Sequence, residues 1–391
     1  MKKYLVIIIL LAGFLASNKT SGQVFDPFIQ SMVGQVSFDT LYQNLSVLES
    51  FGRKQITDPA LETTAQWLMA KYTGYGYADI QTDPFTLYNY PTYNIIVNKT
   101  GTEFPDTYVI IDGHYDTKTG PGINDNGSGV AIILEIARLL QNIPTRYSIK
   151  FINFSAEEYG LVGSGHYVEN VVIPEEMDIR IVYNIDEVGG VSGMVNDIVV
   201  CERDESAPSY NNAESWAFTD TLVALTEIYS SLQPAISYAY GSDYVPFQTN
   251  GEIITGIFED NYSPWAHTVH DSLCNLDMDY VFEMAKISVA AAMYFAGAYD
   301  TGTGIPGRLI DDSALQVFPN PFSGQLTVMN NLNEDAQLLL MNGTGNCIYK
   351  SEWFNGSNQT ISTRSLTSGL YFYQLINKQG VLLETGKIVG L

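Results

Sequence analysis

Cysteine, histidine and positive charge are what this chain has least of. Its 391 residues include 3 Cys, 4 His and 19 Lys plus Arg, against 43 Asp plus Glu. Cys201, Cys274 and Cys347 cannot all pair within the chain, and no two are spaced as a metal-ligand pair, which excludes a cysteine zinc site. Either Cys201 and Cys274 join in one disulfide after export, or all three are buried free thiols. The shortage of basic residues leaves a formal net charge of -24, nearly all of it before Gly304. Such a surface repels nucleic acid and anionic membranes, which argues against both as partners, and attracts multivalent cations and positively charged peptide ends. Most of the carboxylates form a solvated face. Long apolar runs are missing too: residues 4–15 are the most apolar stretch, and twelve or so residues are too few to span a bilayer comfortably, so no stable membrane insertion is expected.

What is present begins with that run. Lys2 and Lys3 precede it and small, polar residues follow, the three-part plan of a secretory signal over residues 1–22, with a mature chain starting near Gln23. A buried N-terminal helix is the alternative. A composition of 46% hydrophobic and 12% aromatic residues suffices for more than one core. Helices are expected over 38–51 and over 59–72, the second entered through Asp58 and Pro59 as cap and first-turn residue. The aromatic, proline-containing stretch 85–93 lines a cleft or packs under a sheet edge, and 94–98 reads as a strand.

The chain is organised around residues 109–129. An apolar run, 108–111, reads as a buried strand and ends at Gly113-His114-Tyr115-Asp116-Thr117; Asn124-Asp125-Asn126-Gly127-Ser128-Gly129 follows, with helical spacing over 128–140. Ligands in an open α/β sheet bind beyond the carboxyl ends of the strands, so His114, Asp116 and Asp125 would share one cleft, with a helix N-terminus facing it. Residues 149–154 and 181–185 repeat the pattern, delivering Glu157-Glu158 and Asp186-Glu187. Three of the four histidines, His114, His267 and His270, sit beside carboxylates, while His166 stands apart. Four carboxylates with two imidazoles suit a pair of divalent ions about 3.5 to 4 Å apart.

These segments, with Ser155-Ala156-Glu157-Glu158-Tyr159-Gly160 and His267-Thr268-Val269-His270-Asp271, resemble the co-catalytic di-zinc aminopeptidases, a family with bacterial leucyl aminopeptidase, glutamate carboxypeptidase and glutaminyl cyclase relatives. The likeness spans residues 38–298. It implies two Zn2+ ions per catalytic domain, one held by His114 and Asp186, the other by Glu158 and His267, with Asp125 bridging. Asp116 would orient His114, and Glu157 would be the general base. His270 is left a supporting or substrate-facing role and His166 a structural one. The family places a hydrogen-bond donor near the scissile carbonyl; Ala266 removes one option, and Tyr240, then Tyr238, are the candidates. Gly241-Ser242-Asp243-Tyr244-Val245-Pro246-Phe247 resembles the substrate-pocket loop, with Tyr in place of a frequent His. Its aromatic residues favour an apolar first side chain, and a packed core would use the same residues.

Residues 301–307 are rich in Gly, Thr and Pro and read as a linker, giving a catalytic domain over 23–300, a linker over 301–312 and a second domain over 313–391. Short alternating strands at 325–329, 337–341, 347–350, 370–375 and 381–389 predict a small antiparallel β-sandwich. Phe318-Pro319-Asn320-Pro321-Phe322 and Gly369-Leu370-Tyr371-Phe372-Tyr373 resemble the type IX secretion sorting domain, which implies the type IX machinery as a partner and a secreted or cell-surface location; an adhesion or carbohydrate-binding module is the rival. The expected fold is thus α/β, a mixed, mostly parallel central sheet flanked by helices, followed by that sandwich. The expected function is a secreted zinc-dependent aminopeptidase acting on peptides. A glutaminyl cyclase-like transferase, a carboxypeptidase and a catalytically inert surface protein are the alternatives.

Overall fold

The computed structural model describes residues 25–239, 241–300, 315–318, 322–330, 335–342, 347–355, 359–364, 366–367, 369–378 and 382–390. The expected signal segment (1–22), the linker (301–312) and Tyr240 lie outside these residues.

Three helices open the chain: α1 (Pro27–Val33), α2 (Phe38–Ser50) and α3 (Pro59–Tyr75). Ser37 caps α2 by accepting from the Thr40 amide at 3.1 Å, and α3 stops at Gly76, whose φ of 103° suits glycine alone. Asp58 does precede Pro59, but its carboxylate accepts from Arg53 at 2.8 Å instead of capping α3. The aromatic stretch that follows is an edge hairpin, β1 (Ile80–Leu87) and β2 (Tyr90–Lys99), turned at Tyr88 and Asn89. Phe85 stacks on His166 there at 5.1 Å, His166 lies 3.0 Å from Asp83, and Tyr88 and Tyr90 face solvent.

β3 (Phe104–His114), α4 (Gly129–Leu140), β4 (Tyr147–Phe154), α5 (Val162–Tyr167), β5 (Asp178–Ile185), β6 (Ile198–Arg203), α6 (Asn212–Tyr229), β7 (Gln233–Tyr238), α7 (Tyr244–Asn250), β8 (Ile254–Glu259) and α8 (Met278–Phe295) complete the unit. The eight strands form one sheet in the order β1-β2-β4-β3-β5-β8-β6-β7. Neighbours β3/β4, β3/β5, β5/β8 and β6/β7 run parallel and the remaining pairs antiparallel, which is the mixed, mostly parallel sheet expected.

Side chains that alternate along a strand enter opposite layers. On β3, Val109 and Ile111 join the core beneath α4 and α8, while Ile110 joins a second core with Tyr167 and Phe247 beneath α5 and α7. Being buried on both faces is why the central strands read as unbroken apolar runs. α4 is buried on almost every side, and its one acidic residue, Glu135, is satisfied by Arg138 at 2.6 Å and the Ser37 amide at 2.7 Å.

The C-terminal part contains β9 (Leu315–Phe318), β10 (Gln325–Asn330), β11 (Ala336–Asn342), β12 (Cys347–Lys350), β13 (Gln359–Ser362), β14 (Gly369–Asn377) and β15 (Leu382–Gly390). They form two antiparallel sheets, β13-β10-β9 and β12-β11-β14-β15, sharing a core of Leu326, Val328, Leu338, Leu340, Leu375 and Ile388. β9 and β13, each 4 residues long, are strands that the sequence pattern does not mark.

All three cysteines are free. Cys201 is buried on β6, but Cys274 and Cys347 are exposed, so neither the disulfide nor a set of three buried thiols forms. Among the described residues no helix is long and apolar enough to cross a membrane. The dense packing of α4 predicts that Ile133→Ala, at a fully buried position, costs about 2 to 5 kcal/mol. The measurement is a lowered urea midpoint at unchanged slope.

Candidate active site

One end of the sheet collects the chemistry. His114 is the last residue of β3, Glu157 and Glu158 follow β4, Asp186 follows β5, and the loop after β8 carries His267. These strands are parallel, so their carboxyl ends open on the same crevice. Asp125 enters it from the turn before α4. Asp125 Oδ1 lies 3.2 Å from His114 Nε2 and Oδ2 lies 3.1 Å from His267 Nε2, so one carboxylate spans both imidazoles. His114 Nε2 is also 3.5 Å from Asp186 Oδ1, and His267 Nε2 is 3.1 Å from Glu158 Oε2. Two ligand-like groups result, His114/Asp125/Asp186 and Asp125/Glu158/His267, each with donor atoms within 4.8 Å of one another.

Asp116 is fully buried behind this cluster. Its Oδ1 lies 3.6 Å from His114 Nδ1, and its two oxygens accept from the Glu157 and Glu158 amides at 3.1 and 3.3 Å. His114 Nδ1 sits 3.2 Å from the Asp116 backbone oxygen, while the Asp116 carboxylate fixes the loop that presents both glutamates. Glu157 Oε2 is 3.8 Å from His114 Nε2 and faces the cleft.

A second buried network holds the Asp125 turn. Asp271 accepts from the Asn124 and Asp125 amides at 2.7 and 3.0 Å. Glu259, ending β8, accepts from the Asn124 side chain and the Gly190 and Ser263 amides at 2.7 to 2.9 Å. Asn124 Oδ1 in turn accepts from the Gly189 amide at 2.7 Å. Turns after β3, β5 and β8 are thus tied together. Gly129 permits a close approach of this turn to β5: a Cβ there would sit 2.2 Å from the Ile185 carbonyl oxygen.

The electrostatics of the bare polypeptide are unfavourable. Burial, reinforced by neighbouring carboxylates, pushes Glu157 up to about 10 and Glu158 up to about 7. Burial opposes the charge on His114, yet the carboxylates of Asp186 and Glu157 outweigh it and raise its pKa well above the ordinary value. The polypeptide alone compensates its crowded negative charge by retaining protons. Meanwhile His114 Nε2, Asp125 Oδ2, Glu158 Oε1 and Asp186 Oδ1 are buried without a hydrogen bond, all in the one cluster. Buried polar atoms are normally satisfied, so orphans converging on one point suit divalent cations. Zinc fits the nitrogen and oxygen donors.

The cleft above the cluster has a volume of about 360 Å³. Besides the cluster it is lined by Glu187, Glu202, Tyr244, Phe258 and Tyr262, and by Lys118, whose Nζ donates to the Glu158 carbonyl at 3.1 Å. Tyr238 and His270 are not brought in. Tyr238 is exposed at the end of β7, the far edge of the sheet, and His270 is exposed with its ring 5.6 Å from Trp265. The residues that sequence reasoning passed over are Lys118, Glu202, Phe258 and Tyr262. A short apolar run ending in Phe258-Glu259 was the available signal for the last two.

Residues 94–292 match the family model for peptidase family M28. The chain belongs to peptidase family M28. Residues 316–389, the C-terminal sandwich, match the secretion system C-terminal sorting domain. Aminopeptidase YwaD of Bacillus subtilis is 32% identical over 195 residues, 48% of this chain and 41% of that protein. The chain spans less than half the length of curated relatives it matches. Among solved structures, LapA aminopeptidase of Legionella pneumophila has a TM-score of 0.61 at 22% identity, covering 77% of this chain and 81% of that one. BSAP, a zinc aminopeptidase from Bacillus subtilis, scores 0.58 at 17%, covering 68% and 98%. A glutaminyl cyclase from Macrostomum lignano scores 0.61 at 14%, covering 72% and 96%. At these identities the likeness is one of fold, which aminopeptidase and cyclase share.

The close approach at Gly129 makes a prediction. Gly129→Ala forces the Asp125 turn away from β5, and Zn2+ affinity measured by competition with a chelator should weaken about 10- to 100-fold. Unchanged affinity would show that the turn adjusts without moving Asp125.

Proposed function

We propose that this M28 protein is a secreted zinc aminopeptidase that removes N-terminal residues from peptides. The observation that carries this reading is the Asp125 carboxylate spanning His114 and His267, with Asp186 and Glu158 on either side. In this reading His114 and Asp186 would hold one Zn2+, Glu158 and His267 would hold the other, and Asp125 would contribute to both. Two zinc ions there would supply Lewis acidity and lower the pKa of a bound water.

The rest is done by the chain. Glu157, at the cleft side of the cluster, accepts the proton of the attacking water and returns it to the leaving nitrogen. Asp116 holds His114 and the Glu157 amide in register. Ser242 Oγ donates to Asp186 Oδ2 at 2.6 Å and fixes that ligand. The acidic cleft attracts the positive α-amino group of a peptide end. Catalysis falls to residues 23–300, and the sorting module over 313–391 delivers the enzyme through a type IX system to the cell surface or medium.

Two experiments test this. Aminoacyl chromogenic substrates with a free amino group should be hydrolysed and their acetylated forms should not; equal rates on both would refute exopeptidase action, and cyclisation of N-terminal glutamine without hydrolysis would favour the transferase. The paired glutamates should also diverge. Glu157→Gln should keep two zinc ions per chain while kcat falls about 10²- to 10⁴-fold. Glu158→Gln should lose one ion and regain activity with added metal. Zinc loss in the first variant and retention in the second would reverse the two roles.

A further inference from the structure

The cleft extends past the cluster into a recess with apolar walls and an acidic floor. Glu202 lies on β6, where alternation sends Cys201 and Arg203 to one face of the sheet and Glu202 to the other, against α7. Its Oε2 accepts from the Tyr244 hydroxyl at 2.9 Å. Directly opposite on β8 stands Gly256, where a Cβ would come 3.1 Å from Glu202 Oε2 and 3.0 Å from the Tyr244 ring. Glycine at that position leaves the pair room. Two residues further toward the carboxyl end of β8, on the same face, Phe258 stacks on Tyr262 at 6.2 Å. A rise of about 3.3 Å per residue puts the aromatic wall about 7 Å above the carboxylate level.

Glu202 is only 4% exposed yet lines the cleft, so the cleft is its access to solvent. Among the described residues no Lys or Arg forms a salt bridge with it. Its neighbour Arg203 pairs instead with Glu205 at 2.8 Å and lies over Trp216 at 4.8 Å, and Lys118 is taken by Glu158. Glu187, with Oε2 buried and without a hydrogen bond, adds a second carboxylate to the lining.

We propose that this recess receives the first side chain of the substrate and selects a cationic one, arginine or lysine, through the Glu202 carboxylate. The inference rests on the aminopeptidase reading and deepens it. A long side chain with an aliphatic stem and a charged head matches an aromatic wall above a buried carboxylate, since the stem packs on the rings while the head reaches the floor. A leucyl or phenylalanyl side chain fills the wall region and leaves the floor without a partner. Burial pushes Glu202 up to about 8, a penalty on the charged form that a guanidinium would offset. The apolar preference suggested by the aromatic residues alone is thereby replaced by a basic one.

The test uses the zinc-loaded full chain with arginyl, lysyl, leucyl and norleucyl p-nitroanilides. Arginyl and lysyl kcat/KM should exceed norleucyl by at least about tenfold. Glu202→Gln should lower the arginyl-to-norleucyl ratio about 10- to 100-fold, the range of a hydrogen bond to a charged group, and Glu202→Asp should restore part of it. A purely structural Glu202 would lower both activities together and leave the ratio untouched, overturning the proposal, as would a wild-type preference for norleucyl. Should Glu202→Gln not fold, the wild-type ranking alone decides. Should no aminoacyl substrate be hydrolysed, the peptidase reading fails; calorimetric binding of L-arginine against L-norleucine then judges the recess, tighter arginine supporting it and equal affinity overturning it.

Discussion

Everything at the carboxyl end of this sheet depends on the cost of bringing carboxylates out of water. Asp116, Asp125, Asp186, Glu157 and Glu158 come from the three connections after β3, β4 and β5, and each would prefer solvent to its neighbours' company. The fold overcomes this by rigidity. Strands packed on both faces, with α4 wedged beneath them, leave the turns little freedom to splay apart. The charge that this framework forces together is what makes the site selective for cations, because only a multivalent positive ion relieves several carboxylates at once.

The acidic groups divide into two kinds by what satisfies them. Asp271 and Glu259 are as buried as the cluster, but backbone amides and the Asn124 side chain occupy their oxygens. They spend their charge on the chain itself and hold the turns in place. Asp186, Asp125 and Glu158 each keep a buried oxygen with no donor. Among these five residues Asp and Glu therefore take two roles, and backbone donors reach the two that hold the turns.

That distinction also explains what could be read from the sequence. His114, Glu157, Glu158 and Asp186 were legible because each follows an apolar run long enough to be a strand buried on both faces, and the position after such a strand has a fixed meaning in an α/β fold. The topology beyond β5 was not legible. β7 contains Pro234 and is a partly exposed edge, and β8 is short with Gly256 at its middle, so neither carries a strong periodic signal. β8 inserts between β5 and β6, an order that no local pattern encodes. Tyr238 was misplaced for this reason: its proximity to the Gly241 loop in sequence says nothing of β7 lying at the far edge.

Glu202 shows the limit most clearly. In sequence it sits in Cys201-Glu202-Arg203-Asp204-Glu205, which reads as a strand running out into a solvated, charged turn. Alternation reverses that reading, turning Glu202 and Asp204 inward, the latter against Gln248 at 2.6 Å, while Arg203 and Glu205 pair outside. A buried acid in the second half of a strand, accepting from a tyrosine across a glycine, is costly unless its oxygen has further use. The cleft gives that carboxylate its access to solvent, because Glu202 lines the same cleft as Asp125, Glu157, Glu158 and Asp186. Cluster and recess thus follow from one arrangement: parallel strand ends gather the carboxylates of the cluster, and the neighbouring antiparallel pair β6/β8 places one more carboxylate on the lining of the same cleft.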